Sequence, residues 1–121
     1  MKAVSWEFAL RKLNEWRVKE LFVAFGQVDE VELKPQGATT TIFSGETTRI
    51  LSADSATGNV SLLGSGDVDL FGASFAFWDS YSGAKPPFNE SDLHIWEYAE
   101  VLEATLLDES ILIFACEWPV G

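Results

Sequence analysis

The sequence predicts an α+β fold that is mainly β: an antiparallel sheet, or a small partly open barrel, carrying one N-terminal amphipathic helix. Three observations predict it. Apolar residues recur at sustained helical spacing near the N-terminus. From Thr39 onward, short apolar and β-branched runs alternate with Gly, Ser and Asp clusters. A chain of 121 residues, 47% of them apolar, is enough for a single domain with a real core and no staples.

The helix begins at Ser5, a good N-cap. Trp6, Ala9, Leu10, Leu13 and Trp16 form its apolar stripe, and Glu7–Arg11 and Glu15–Lys19 are favourable i,i+4 pairs. Val18, Leu21, Phe22 and Phe25 continue the stripe to Gly26, a suitable stop, so the helix is expected over about 5–25. The competing reading makes Val18 to Phe25 a strand, with Gly26-Gln27 as a two-residue turn into Val28 to Leu33.

Strands are expected from 39 to 118. Thr39 to Phe43 is followed by Ser44-Gly45. Thr47 to Ala53 and Asn59 to Leu63 flank Asp54 to Gly58, which reads as a hairpin loop. Asp67 to Phe71 and Ala73 to Trp78 follow, with Gly72 as a bulge or bend between them. Residues 79–92 hold Ser80, Ser82, Gly83, Pro86 and Pro87, and form the longest expected loop. Residues 94–106 fit either period. Ile95, Tyr98, Ala99, Leu102 and Leu106 share a helical face, whereas Trp96, Tyr98, Leu102, Ala104 and Leu106 share a strand face. The hairpin reading is preferred, because Leu107 to Ser110 is a short turn into the β-rich run Ile111 to Trp118.

Charge is segregated. Residues 1–34 hold six bases and six acids; residues 35–121 hold 13 acids against Arg49 and Lys85, and so carry the whole net charge of −11. Such a surface argues against nucleic acid and anionic membranes as partners and favours something cationic, unless the acidity serves solubility alone. No apolar signal core precedes Arg11 and Lys12, and no stretch approaches the roughly 20 apolar residues that cross a bilayer. A cytoplasmic location is expected; the oligomeric state is left open.

No catalytic or metal signature emerges. His94 and Cys116 are the sole His and Cys, too few for a structural zinc site, and Cys116 lies in the apolar run Ile111 to Cys116, where a thiolate is disfavoured. Asp54 to Asn59 lacks the ligands of a calcium loop. Asp67 and Asp69 share a strand face about 7 Å apart, the pattern of a solvated edge. No cofactor, no metal and no enzymatic activity are expected. The expected function is that of an acidic binding protein engaging a basic protein partner, in the manner of an immunity protein or antitoxin. Trp78, Tyr81, Phe88 and Trp96 are its candidate aromatic anchors. Asp79, Glu90, Asp92, Glu97, Glu100 and Glu103 are its anionic rim. Two alternatives use the same region. One is a small-ligand-binding β-barrel built on those aromatics; the other is a carboxylate-dependent hydrolase centred on Glu97, Glu100 or Glu103 with His94.

Overall fold

The elements follow the order β1 (Lys2–Val4), α1 (Trp6–Val18), β2 (Val23–Leu33), β3 (Ala38–Phe43), β4 (Glu46–Thr48), β5 (Ile50–Ala53), β6 (Asn59–Leu62), β7 (Gly66–Asp69), β8 (Ser74–Asp79), β9 (Tyr98–Thr105) and β10 (Ile111–Glu117). This computed structural model describes residues 2–33, 38–43, 46–80 and 98–118. The strands form an open, seven-stranded antiparallel sheet in the order β1-β8-β9-β10-β2-β3, with β4 also pairing β2, and a three-stranded sheet β5-β6-β7. The fold is therefore α+β and mainly β, with the helix at the N-terminal end as expected.

The helix is shorter than its stripe. Ser5 caps it by accepting from the Phe8 N–H at 3.1 Å, and Glu7 and Arg17 complement its two ends. It closes with a Schellman arrangement: Leu21 N–H donates to Trp16 O and Glu20 N–H donates to Arg17 O, both at 3.1 Å. Leu21 then packs, partly buried, against the core that contains Trp16. The residue in the left-handed position is Glu20, at φ 55, where glycine usually stands. The helix expected as far as Phe25 is thus corrected to Trp6–Val18. The competing Gly26-Gln27 turn is absent too, because β2 runs through both residues, pairing Gly26 with Ile113 and Gln27 with Leu112.

Hairpin pairing in the last third follows the preferred reading: β9 and β10 pair from Thr105–Ile111 to Glu100–Cys116, with a bulge before Tyr98–Glu117. The β10 strand lies between β9 and β2 and is buried on both faces, which explains its unbroken apolar run. The expected strand Thr47 to Ala53 divides at Arg49, where the chain leaves the large sheet for the small one. Asp54 organises the β5–β6 turn by accepting from Ala56 N–H at 2.8 Å. Most of the expected 79–92 loop lies outside the described residues; Asp79 itself closes β8.

The main core lies on one face of the large sheet. Leu10, Leu13 and Trp16 of α1 pack against Leu102, Phe114 and Phe75 on that face and against Val60 and Leu62 of the small sheet. The helix is thereby held between two β layers. Trp118, just past β10, is 41% exposed. No helix among the described residues is long and apolar enough to cross a membrane.

Candidate functional site

A groove of about 290 Å³ opens where the C-terminal half of α1 crosses the ends of β8, β9 and β10. Lys12, Glu15 and Lys19 line it from the helix side, and Asp79, Glu100 and Glu117 line it from the strands. Leu21, Ala99 and Cys116 form its apolar part.

Strand register builds the acidic side. Asp79 stands directly opposite Glu100, and Glu100 opposite Cys116, with Val23 and Thr48 completing the row. Like charges directly opposite on neighbouring strands repel, so this arrangement needs a cation. Lys12 supplies it: its Nζ lies 2.7 Å from Glu100 Oε2. Trp16 Nε1 also donates to Glu100 Oε1 at 3.4 Å, so a fully buried indole holds the carboxylate from the helix side. Burial works against the Lys12 charge. The hydrogen bond and attraction from Glu100, with Glu15 behind, outweigh it and hold the ammonium above the ordinary lysine value.

Glu15 accepts from Lys19 Nζ at 3.0 Å and sits 3.6 Å from Lys12. The Lys19 hydrogen bond and the two ammonium charges hold its carboxyl below the ordinary range despite some burial. Cys116 goes the other way. Burial, then the charges of Glu100 and Glu117, push its thiol up to about 12. The groove thus contains no nucleophilic thiolate at neutral pH. It holds four carboxylates against two ammonium groups, and it suits a guanidinium or ammonium side chain better than an anion.

Of the sequence-predicted site residues, Asp79 and Glu100 meet in this groove. Trp78 does not join them. Alternation along β8 turns it to the opposite face, where it is 5% exposed in the row Trp78–Val101–Ala115–Ala24. Trp78 is therefore buried on the face of the sheet opposite Asp79 and Glu100. Glu103 also faces away from Glu100. Its row is Ala3–Ala76–Glu103–Ile113–Gly26, an apolar setting in which burial pushes its carboxyl up. Glu100 and Glu103 cannot act as an acid/base pair across a β-strand. Tyr81, Phe88, Glu90, Asp92, Trp96, Glu97 and His94 lie outside the described residues, and no aromatic cluster forms around Trp78 within them.

Sequence reasoning missed Lys12, Glu15 and Glu117. The Glu15–Lys19 spacing was visible, but it reads as helix support and carries no hint of a strand carboxylate 84 residues from Trp16. Among the described residues, no three His, Cys, Asp or Glu side chains converge on a metal position. Asp67 and Asp69 are occupied locally: Asp67 Oδ1 accepts from Ser61 Oγ at 2.7 Å, and Asp69 Oδ1 accepts from Phe71 N–H at 2.9 Å. No protein-family model, curated protein or solved structure matches the chain.

Proposed function

We propose that the protein is a non-catalytic binding protein of the cytoplasm that engages a basic protein partner through the groove beside α1. An inhibitor of the immunity-protein or antitoxin kind is the concrete form of this reading. The observation that carries it is the electrostatic composition of the groove. Asp79, Glu100, Glu15 and Glu117 outnumber Lys12 and Lys19 around a cleft wide enough for one long side chain. Lys12 and Trp16 fix Glu100 in advance, so a partner's arginine or lysine meets a carboxylate that has little left to order. The acids of β4–β10 extend the negative field and speed encounter with a basic surface.

The test is capture from lysate at low salt and at roughly 0.5 M salt, where screening acts within a few ångströms, with mass-spectrometric identification of what is held. The expected result is a basic protein held at low salt and weakened at high salt. With that partner purified, Asp79→Asn and Glu117→Gln together slow association several-fold and flatten its salt dependence. An unchanged on-rate, or no basic protein at either salt, overturns the reading.

A further inference from the structure

Two exposed cations of this acidic chain, Lys2 and Arg11, lie close together. The Glu7–Arg11 spacing allows an ion pair, yet Arg11 pairs with no acid among the described residues. Its guanidinium lies over the Phe8 ring instead, 5.2 Å from the centroid. Phe8 meets Phe77 of β8 edge-on, with ring centroids 5.1 Å apart. Lys2 stands directly opposite Phe77 in the β1–β8 pairing, so its side chain leaves the same face of the sheet. Register and ring contacts thus join Lys2, Phe77, Phe8 and Arg11 into one patch at the β1 edge, and both phenylalanines are partly exposed.

This patch runs into the acidic groove. Lys12, one turn along α1 from Phe8, sits over Phe77 with its Nζ 5.3 Å from the ring centroid, and pairs with Glu100 at 2.7 Å. Glu15 and Lys19 carry the same helical stripe on into the groove. On the far side Glu117 lines the groove, partly exposed, and its carboxylate pairs with no base among the described residues. The β1 and β10 strands are three strand spacings apart in the sheet, about 14 Å. One strip therefore carries cations on an aromatic base at one end, the Lys12–Glu100 pair in its middle, and the groove with Glu117 at the other end. A surface with opposite charge at its two ends is complementary to itself under a two-fold rotation.

We propose that this strip is the interface of a two-fold symmetric dimer, in which Arg11 of each copy enters the acidic groove of the other and pairs with Glu117 there. The proposal rests on the groove being a seat for a cationic side chain, and its occupant is a second copy of this chain. A guanidinium takes a carboxylate in bidentate fashion, and Arg11, already stacked on Phe8, has little freedom left to lose. Lys2 adds a second positive charge beside it, and Phe8 supplies the aromatic contact. Each copy carries a net charge of −11, which repels its twin. At physiological ionic strength that repulsion is screened beyond about 8 Å, whereas charges in contact are not, so the local match decides. A basic partner bound in the groove displaces the second copy, and the two states exclude each other.

Sedimentation equilibrium on the whole protein at physiological salt, from micromolar to millimolar concentration, tests the assembly. The expected result is a monomer–dimer equilibrium that goes no further. Arg11→Glu and Glu117→Arg each raise the dimer Kd about tenfold or more. Mixed in equal amounts, the two variants restore the dimer, because each of its two symmetric contacts again joins a base to an acid. Where a charge reversal disturbs the native amide spectrum, Arg11→Gln and Glu117→Gln give the same loss without the rescue. A monomer at every concentration, a dimer that survives both single reversals, a mixture that stays monomeric, or growth past the dimer overturns the proposal. Titrating N-acetyl-arginine methylamide into Arg11→Glu, with the Ala99 and Glu117 amide signals followed by NMR, separates the dimer from the groove. Shifts there in a protein whose parent never dimerises overturn the dimer and keep the groove; no shifts overturn both.

Discussion

The Trp6 indole rests on the backbone of Gly58: its Nε1 donates to Ser55 O at 3.1 Å, and the ring covers the glycine. Gly58 has φ +77, and a Cβ there would overlap Trp6 Cη2 and stand 2.9 Å from Phe71 N. Gly58→Ala is therefore expected to destabilise the fold by roughly 2–4 kcal/mol, from left-handed strain and overpacking together. Urea unfolding measures it; a loss below about 1 kcal/mol would show that the helix start and the β5–β6 turn are not tightly joined.

Glu20 occupies the left-handed helix-end position at φ 55. Glu20→Gly removes that strain and should raise stability by about 1 kcal/mol, less the entropy glycine adds to the unfolded chain. Thermal melting reads the shift, and an unchanged or lower midpoint counts against the Schellman end.

With its pKa pushed up to about 12, the Cys116 thiol should stay silent in the native protein. At pH 8 the expected outcome is negligible labelling by a disulfide reagent over hours, and complete labelling once guanidinium unfolds the chain. Rapid labelling of the native protein would mean that β10 opens locally.

Glu103 is held above the ordinary carboxyl value of 4.5 by burial in its apolar row. The folded state therefore binds this proton more tightly than the unfolded one. Its contribution is fully present below the unfolded pKa and is lost as pH rises through the folded one. Glu103→Gln should then be more stable than the parent at neutral pH, with the gap closing in acid. Chemical denaturation across the two pH ranges decides it, and a gap independent of pH would refute the titration.

The sequence made the apolar stripe of α1 legible, along with the β10 run and the hairpin from Tyr98 onward, because each depends on local periodicity. It misplaced the helix end, because Glu20 stands where a glycine would have signalled the stop. The site was legible only in part. Asp79 and Glu100 are neighbours through β8–β9 register, and Lys12 joins them through the crossing of helix on sheet. Neither register nor crossing angle is written in local spacing. Trp78 is parted from Asp79 and Glu100 for the same reason: one step along a strand reverses the face.

The order of strands in the large sheet also governs when the protein can fold. The N-terminal β1 pairs with Phe75–Phe77 and β2 pairs with Ile111–Cys116, so both flanks of the β8–β9–β10 meander are closed by the earliest strands. As the chain is made, α1 can meet the small β5-β6-β7 sheet, then Phe75 of β8 and Leu102 of β9, but it gains Phe114 only once β10 is made. Such distant pairings place the domain among slow folders, with relaxation in milliseconds to seconds. Until β10 is made, the core around Trp16 lacks Leu112, Phe114 and Cys116, and that incompletely covered chain is the species a chaperone would meet.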